Sequence, residues 1–468
     1  MRILFVTPEC APLTKTGGLG DVSAALPAAL RGLGLDVRQL LPGYSQVLEK
    51  IDSVEKARLS VLGFETRLLE AGPFLIIDCP ALYRRDGGPY QDAAGVDWAD
   101  NALRFGVLSR AASMLASSAS PLEWRPECLH CNDWPAALAA AYVAFDPGAS
   151  AASVLTVHNL AFQGNYEAGL LGRLDLPPQS FSVDGVEFHG QVSFLKAGLA
   201  YADAITTVSP GYAREIQTEA FGCGLDGLLR RRRNALTGIL NGIDTEVWNP
   251  ATDPHLTAAY DASSLERKAL NKQALQFRLR LKVDPGIPLL GVVSRLTHQK
   301  GSDVLAETLD ELVSMPAQLA ILGRGEARIE EALRAAATRY PGGVSVTTGF
   351  DEGLAHAIEA GADLFLMPSR FEPCGLNQMY SQCYGTLPVA HATGGLADTI
   401  EDGKTGFLFA PVEPGALLEA VRRAAGLRRD VERWREMQRR AMQRDFSWST
   451  AARQYAALYS RLAMRATA

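Results

Sequence analysis

Short, dense apolar runs recur along the chain and alternate with longer stretches of helical periodicity. In the first half the runs cover 2–9, 35–42, 74–78, 128–133, 153–159, 204–209 and 238–243. In the second half they cover 289–296, 319–325, 344–350, 364–369, 387–393 and 406–411. Most are β-branched and apolar at successive positions, so both faces of each strand need cover, which suits parallel strands between layers of helix. Segments such as 302–315, 326–339 and 412–425 supply amphipathic helices between them. The pattern predicts an α/β, doubly wound fold.

The alternation breaks once. NGIDTEVWNPATDPH (241–255) has no period and carries two Pro, two Asn and a Gly, the composition of a linker. A new series of strands and helices begins near 288, after the helical LERKALNKQALQFRLRL. Two similar halves joined by a hinge predict a cleft lined by the carboxyl ends of both sheets. The basic segment 421–444 is expected as a helical, solvated face.

Composition narrows the function. At 468 residues with 47% hydrophobic and 21% charged positions, the chain can bury large cores without a disulfide or metal staple. Its 46 basic and 52 acidic residues give a net charge of −6, which argues against a general binder of nucleic acid or anionic membranes. The amino-terminal apolar run is too short for a secretory signal, and the longest charge-free stretch, 147–166, is too polar for a membrane span. Seven scattered cysteines, an odd number, suit reduced thiols, so a cytoplasmic protein is expected. Cys128 and Cys131 spell CxxC, but no second pair exists, and ECLHCND is expected as a strand running into a loop. There i and i+3 face opposite ways, so zinc is not expected.

Several loops carry candidate chemistry. Gly222, Gly224 and Gly227 spell GxGxxG, but a helical segment, PGYAREIQTEAF, precedes them where a dinucleotide fingerprint needs a strand. KTGGLGDV (15–22) follows the first strand and opens a helix with Asp21 as its expected N-cap. Gly17, Gly18 and Gly20 permit positive φ, so backbone N–H groups can converge on an anion, with Lys15 adding charge at the same mouth. The alternative there is a tight turn with a solvated lysine.

SRLTHQKG (294–301) brings Arg295, His298 and Lys300 to one loop, spaced to straddle a diphosphate. SRFEPCGLNQ (369–378) places Glu372 at a strand's carboxyl end, with N–H groups from Gly375 onward opening a helix. HATGGLADT (391–399) repeats the strand, Gly-pair, helix design. Four such loops together favour a phosphate-ester ligand. Without D-x-D, HExxH or a His/carboxylate cluster, no metal and no organic cofactor is expected, and fixed cations must neutralise a diphosphate leaving group. His158 and Asn159, at the end of a strand, suit hydrogen bonds to a polyhydroxylated substrate, although a lone His is more often a satisfied core residue.

KTGGLGDV, VHNLAFQG, SFLKAGLAYADAITTVSPGYAREI, LNGID, SRLTHQKG, SRFEPCGLNQ and TGGLADT, in this order over nearly the whole chain, resemble the bacterial glycogen synthase and plastid starch synthase family. The resemblance implies two Rossmann-like domains of GT-B type facing a deep cleft. These fall at 1–243 and 244–445, with 446–468 as a carboxyl-terminal helix returning to the first domain. It implies transfer of glucose from ADP-glucose to the non-reducing end of an α-1,4-glucan, with retention and without metal. By this resemblance Lys15 and Gly18 meet the nucleotide sugar and His158 contacts the transferred glucose. Arg295 and Lys300 neutralise the diphosphate, and Glu372 is the essential glutamate with Cys374, Gly375 and Leu376 beside the glucose. Asn241 lines the sugar pocket, and Asp21, Asp133 and Asn159 also belong to the substrate site.

Four departures mark this chain. Asn132 stands where a His before DW is common, and Phe350 where an adenine-stacking Tyr is usual. Asn377 replaces a Thr after EPCGL, and His391-Ala392 replaces an Arg pair. None removes a cation or carboxylate from the proposed centre. A related retaining enzyme that uses UDP-glucose or a small acceptor is the alternative reading. An NAD-dependent oxidoreductase lacks its fingerprint, and a mere glucan binder needs no diphosphate cradle.

Overall fold

The computed structural model describes residues 1–466. The chain divides into two compact units, one formed by Met1–Gly242 with the carboxyl-terminal helix Trp448–Ala466, the other by Ile243–Ser447.

Unit 1 is built on strands β1 (Arg2–Val6), β2 (Asp36–Pro42), β3 (Val54–Val61), β4 (Phe64–Ala71), β5 (Phe74–Asp78), β6 (Cys128–Asn132) and β7 (Ala152–Val157). A small separate sheet holds β8 (Asn165–Glu167), β9 (Glu187–Phe188) and β10 (Gln191–Ser193), and β11 (Ala204–Thr207) and β12 (Leu236–Gly238) complete the main one. The main sheet runs β12-β11-β7-β6-β1-β2-β5-β4-β3, with every pair from β12 to β5 parallel and the β5-β4-β3 end antiparallel.

Two expectations shift here. The run 238–243 yields a strand only at its start, and β12 lies at Leu236–Gly238. The segment after Cys131 is no loop, because the helix Asp133–Phe145 starts directly at the strand's end. Cys128 and Cys131 are both buried, and among the described residues no group of three or more His, Cys, Asp or Glu is placed to hold a metal. The triple-glycine segment does follow a helix, Pro210–Glu215, which is shorter than the sequence pattern suggests.

Unit 2 contains β13 (Leu289–Val293), β14 (Gln318–Gly323), β15 (Val344–Thr348), β16 (Leu364–Met367), β17 (Leu387–His391) and β18 (Phe407–Phe409). All pair in parallel in the order β15-β14-β13-β16-β17-β18. Alternate residues feed two cores. Leu319, Ile321, Leu364 and Leu366 meet helices 302–314, 327–339, 414–427 and 431–442 on one face. Ala320, Leu322, Phe365 and Met367 meet Leu275, Leu354 and Ile358 on the other. Sandwiching on both faces is why these strands read as unbroken apolar runs. The basic stretch near the end forms two helices, Pro414–Leu427 and Val431–Met442, with Trp434 and Met437 buried and arginines outward.

The carboxyl-terminal helix packs Trp448, Tyr455, Tyr459 and Leu462 into the unit 1 core beside Ile3, Phe5 and Leu26. Its hydroxyls complete a buried polar network. His130 on β6 is paired through Nδ1 with the Tyr459 hydroxyl at 2.7 Å and through Nε2 with the Thr156 hydroxyl at 2.6 Å. Burial lowers the His130 pKa to about 3, so the ring stays neutral and both nitrogens need partners. Tyr459→Phe, which keeps the ring and leaves His130 Nδ1 unpaired, is expected to cost about 1–3 kcal/mol. Urea unfolding of the full chain checks this, and an unchanged midpoint would show the hydroxyl to be dispensable.

Candidate active site

Numbered within each unit, the parallel strands share the order 3-2-1-4-5-6, to which unit 1 adds β12 as a seventh. Connections that run one way from the first strand and the other way from the fourth leave a crevice at the carboxyl ends of that pair. In unit 2 the pair is β13 and β16, and in unit 1 it is β1 and β6.

Most of the cationic candidates gather at the β13/β16 crevice. The loop after β13 carries Arg295 and Lys300, and the loop after β16 carries Glu372, with Cys374, Gly375 and Leu376 leading into the helix Asn377–Cys383. Lys300 Nζ donates to Glu372 Oε2 at 2.5 Å, and the Ser369 hydroxyl donates to the same oxygen at 3.1 Å. Arg370 clamps the two loops together. Its guanidinium forks onto both oxygens of Asp303 at 2.7 Å and reaches the His298 carbonyl at 2.6 Å, while its N–H donates to the Gln299 carbonyl at 2.9 Å.

Gly301 follows Lys300 at φ +66°, and a Cβ there would stand 1.9 Å from the Pro368 carbonyl oxygen, so no other residue fits. Asn377 Nδ2 donates to the Val293 carbonyl at 2.5 Å, tying the end of β13 to the helix beyond β16. His391 pairs through Nδ1 with the Ser369 carbonyl at 2.8 Å. In this stitched frame the guanidinium of Arg295 is exposed and has no partner among the described residues. Phe350 lies two strands away, beyond β15, with its ring 87% exposed. The crevice therefore offers an open planar cation and an ammonium already anchored on a buried carboxylate, a fit for the oxygens of a phosphate ester.

The β1/β6 crevice has different chemistry. Glu9, not singled out from the sequence, lies three residues beyond β1 as a buried carboxylate. Its Oε2 accepts the N–H groups of Thr16 at 2.6 Å and Gly17 at 3.2 Å, and its Oε1 accepts the Tyr90 hydroxyl at 2.9 Å. Burial raises its pKa against these hydrogen bonds. Its signal was a lone acidic residue directly after an apolar run.

The helix accordingly starts at Gly18, with Gly17 as N-cap in extended backbone at φ −148°. Asp21 is thus not the N-cap. It lies in the first turn and forms a 2.7 Å ion pair with Lys15, because Glu9 already satisfies donors at the helix entry. Nor do Gly17, Gly18 or Gly20 take positive φ. At Gly20 the fit is close instead, since a Cβ would lie 3.0 Å from Lys15 Cγ and push that side chain aside. With Lys15 48% and Asp21 36% exposed, their pairing is screened by water and easily exchanged for a phosphate.

Across the crevice, Asp133 opens its helix at φ +57°, an uncommon conformation for a residue with a side chain. Its Oδ1 accepts the His158 N–H at 3.1 Å and its carboxylate also accepts the Asn159 N–H, yet burial raises its pKa to about 7. His158 Nε2 lies 3.1 Å from Asn132 Oδ1, and desolvation lowers the ring's pKa to about 3. Asn159 Oδ1 is engaged by the Ala161 N–H at 3.1 Å, which closes a local turn. Asn241, 7% exposed, follows β12, two strands along the sheet from β7.

Two units of Rossmann-like strand order, matched along nearly the whole chain by a solved starch synthase structure and in unit 2 by a glycosyl transferase family, make this a GT-B glycosyltransferase. The catalytic domain of starch synthase IV from Arabidopsis thaliana, bound to ADP and acarbose, matches with a TM-score of 0.88 and 31% identity over 99% of both chains. The sucrose-phosphate synthase of Thermosynechococcus elongatus shares the fold at TM-score 0.62 and 18% identity. Residues 2–231 match the starch synthase catalytic domain family, and residues 276–441 match glycosyl transferases group 1. Glycogen synthases of Aromatoleum aromaticum and Nitrosomonas eutropha are 56% and 52% identical, over 100% and 99% of this chain and 98% and 96% of theirs. The chain belongs to the glycogen synthase and starch synthase family.

Neutral histidines and a proton-holding carboxyl pull the pH dependence of unit 1 in opposite directions. His130 and His158, both at about 3 when folded against 6.5 ordinarily, contribute stability that is lost as pH falls from 6.5 toward 3. Asp133, at about 7 against 3.8, contributes stability present at low pH and lost as pH rises through 7. Asp133→Asn removes only the opposing contribution. Between pH 6.5 and 4 the variant's urea stability is expected to fall more steeply than the parent's, by about 1.4 kcal/mol per pH unit. Parallel curves would mean that Asp133 is ionised in the fold.

Proposed function

We propose that the chain transfers glucose from ADP-glucose to the non-reducing end of an α-1,4-glucan with retention of configuration. The observation that carries this reading is the 2.5 Å Lys300–Glu372 pair beside the unpartnered Arg295 guanidinium at the β13/β16 crevice. Arg295 and Lys300 take the diphosphate oxygens, where negative charge grows as the anomeric C–O bond breaks. Within unit 1, Lys15, beside Gly18 at the helix start, offers a cation to phosphate oxygens once it gives up Asp21. Phe350 offers its exposed ring to the adenine.

Glu372 holds the glucosyl unit, with Cys374, Gly375 and Leu376 beside it and Asn377 fixing the loop. His158, Asp133, Asn159 and Asn241 meet sugar hydroxyls on the unit 1 side. The new glycosidic bond forms on the face the leaving group vacates, and the acceptor hydroxyl's proton passes to the departing phosphate. A retaining glycosidase would instead place two carboxyl groups about 5 Å apart. No such partner faces Glu372 among the described residues of unit 2 that contact it, where Lys300 and Ser369 occupy its Oε2. None of the seven cysteines is in a disulfide, the reduced state expected of a cytoplasmic enzyme, and no described helix is long and apolar enough to cross a membrane.

Incubation with radiolabelled ADP-glucose or UDP-glucose plus glycogen, followed by polymer precipitation, tests donor and acceptor together. ADP-glucose is expected to label the polymer, undiminished by a chelator. Label from UDP-glucose alone, or none in polymer, would favour the related transferase. Glu372→Gln, which preserves shape, is expected to lower kcat by about 10²–10³-fold. Near-parental turnover would remove Glu372 from the centre.

A further inference from the structure

Asn132 ends β6, and the structure gives it a task that a histidine would perform differently. Its Nδ2 donates to the Val6 carbonyl at 3.1 Å and more weakly to the His130 carbonyl at 3.4 Å. Those contacts fix which way the amide faces, so the atom turned to His158 is an acceptor, Oδ1, 3.1 Å from Nε2. An acceptor opposite Nε2 demands a proton on Nε2. In a neutral ring the other nitrogen, Nδ1, is then a bare lone pair, and it takes no hydrogen bond from the described residues.

We propose that Asn132 is a positioning residue that locks His158 as the Nε2–H tautomer, so that Nδ1 accepts a hydrogen bond from a hydroxyl of the sugar substrate. The inference rests on the functional reading above for its ligand class, and on geometry alone for the tautomer.

The surroundings favour the neutral ring. The titratable groups facing this corner are His130 and Asp133 at the end of β6, Glu9 after β1, and Tyr212 from the helix Pro210–Glu215. Asp133 spends its Oδ1 on the His158 backbone N–H, which fixes the main chain without touching the ring. Tyr212 accepts the Leu160 N–H at 3.0 Å and braces the same loop. Asn132 is itself fully buried, so its amide cannot turn to water and reverse its polarity. A charged residue in its place would draw a proton onto the ring and turn Nδ1 into a donor, which a hydroxyl meets through its oxygen instead of its hydrogen.

Nitrogen NMR of the full chain labelled at its seven histidines, with His158 assigned by comparison with His158→Gln, reads the tautomer without turnover. Protonated Nε2 and bare Nδ1 at neutral pH are expected, unchanged down to pH 5. Asn132→Leu is expected to lose the single tautomer and to lower kcat/KM for the sugar donor about tenfold. Asn132→Asp restores an acceptor and adds charge, so it is expected to recover activity above pH 7 and to introduce a loss on the acid side that the parent lacks. A protonated Nδ1 or an imidazolium in the parent overturns the proposal. So does a parental kcat/KM and pH profile in both variants. A parent with the expected tautomer that makes no polymer from either nucleotide sugar sinks the functional reading and leaves the tautomer assignment standing.

Discussion

A parallel sheet wound in both directions must reverse somewhere, and the reversal leaves two neighbouring strands whose exits diverge. Everything chemical in this chain follows from that constraint. At the β13/β16 reversal the exits hold Lys300 and Glu372 in contact, and at β1/β6 they hold Glu9, Asp133 and the approach to His158. Burying an ion pair such as Lys300–Glu372 costs desolvation that its attraction barely repays. Its value lies in geometry, and the Arg370–Asp303 fork and Gly301 against Pro368 hold that geometry.

The two crevices are chemically unlike, and the difference sorts their ligands. Unit 2 presents a free guanidinium and an anchored ammonium, suited to an anionic ester. Unit 1 presents a neutral histidine, a carboxyl that holds its proton near neutrality, and a carboxylate capped by backbone N–H groups. That is a surface of hydrogen-bond donors and acceptors with little net charge, suited to hydroxyls. Lys15 is the exception, and its exposed pairing with Asp21 is weak enough to be exchanged.

Much of this was legible in the sequence because the strands are buried on both faces. Runs such as LLGVV and QLAILG have no polar side to blur them. The β3–β4 hairpin escaped notice for the opposite reason. It is antiparallel at a sheet edge, with Glu55, Lys56 and Arg58 outward, so its apolar positions are diluted. Its two-residue turn, Leu62 at φ +52° and Gly63 at φ +80°, lacks the Asn-Gly signal common in such turns. Arg295, Lys300 and Glu372 were visible as charges at strand ends, whereas the clamp made by Arg370 was not, because its partner lies 67 positions away. Asp21 was misplaced as a cap because the group that satisfies the helix entry, Glu9, reaches it from the far end of the loop after β1. Local spacing cannot show a cap supplied from outside the turn.

The claim that the β13/β16 reversal is where the nucleotide binds can be tested most directly by hydrogen exchange of the intact protein with and without ADP. Slowed exchange concentrated in residues 294–301 and 369–377, and abolished by Arg295→Ala, is the result this account requires. Protection that falls elsewhere, or that survives loss of the Arg295 guanidinium undiminished, would contradict it.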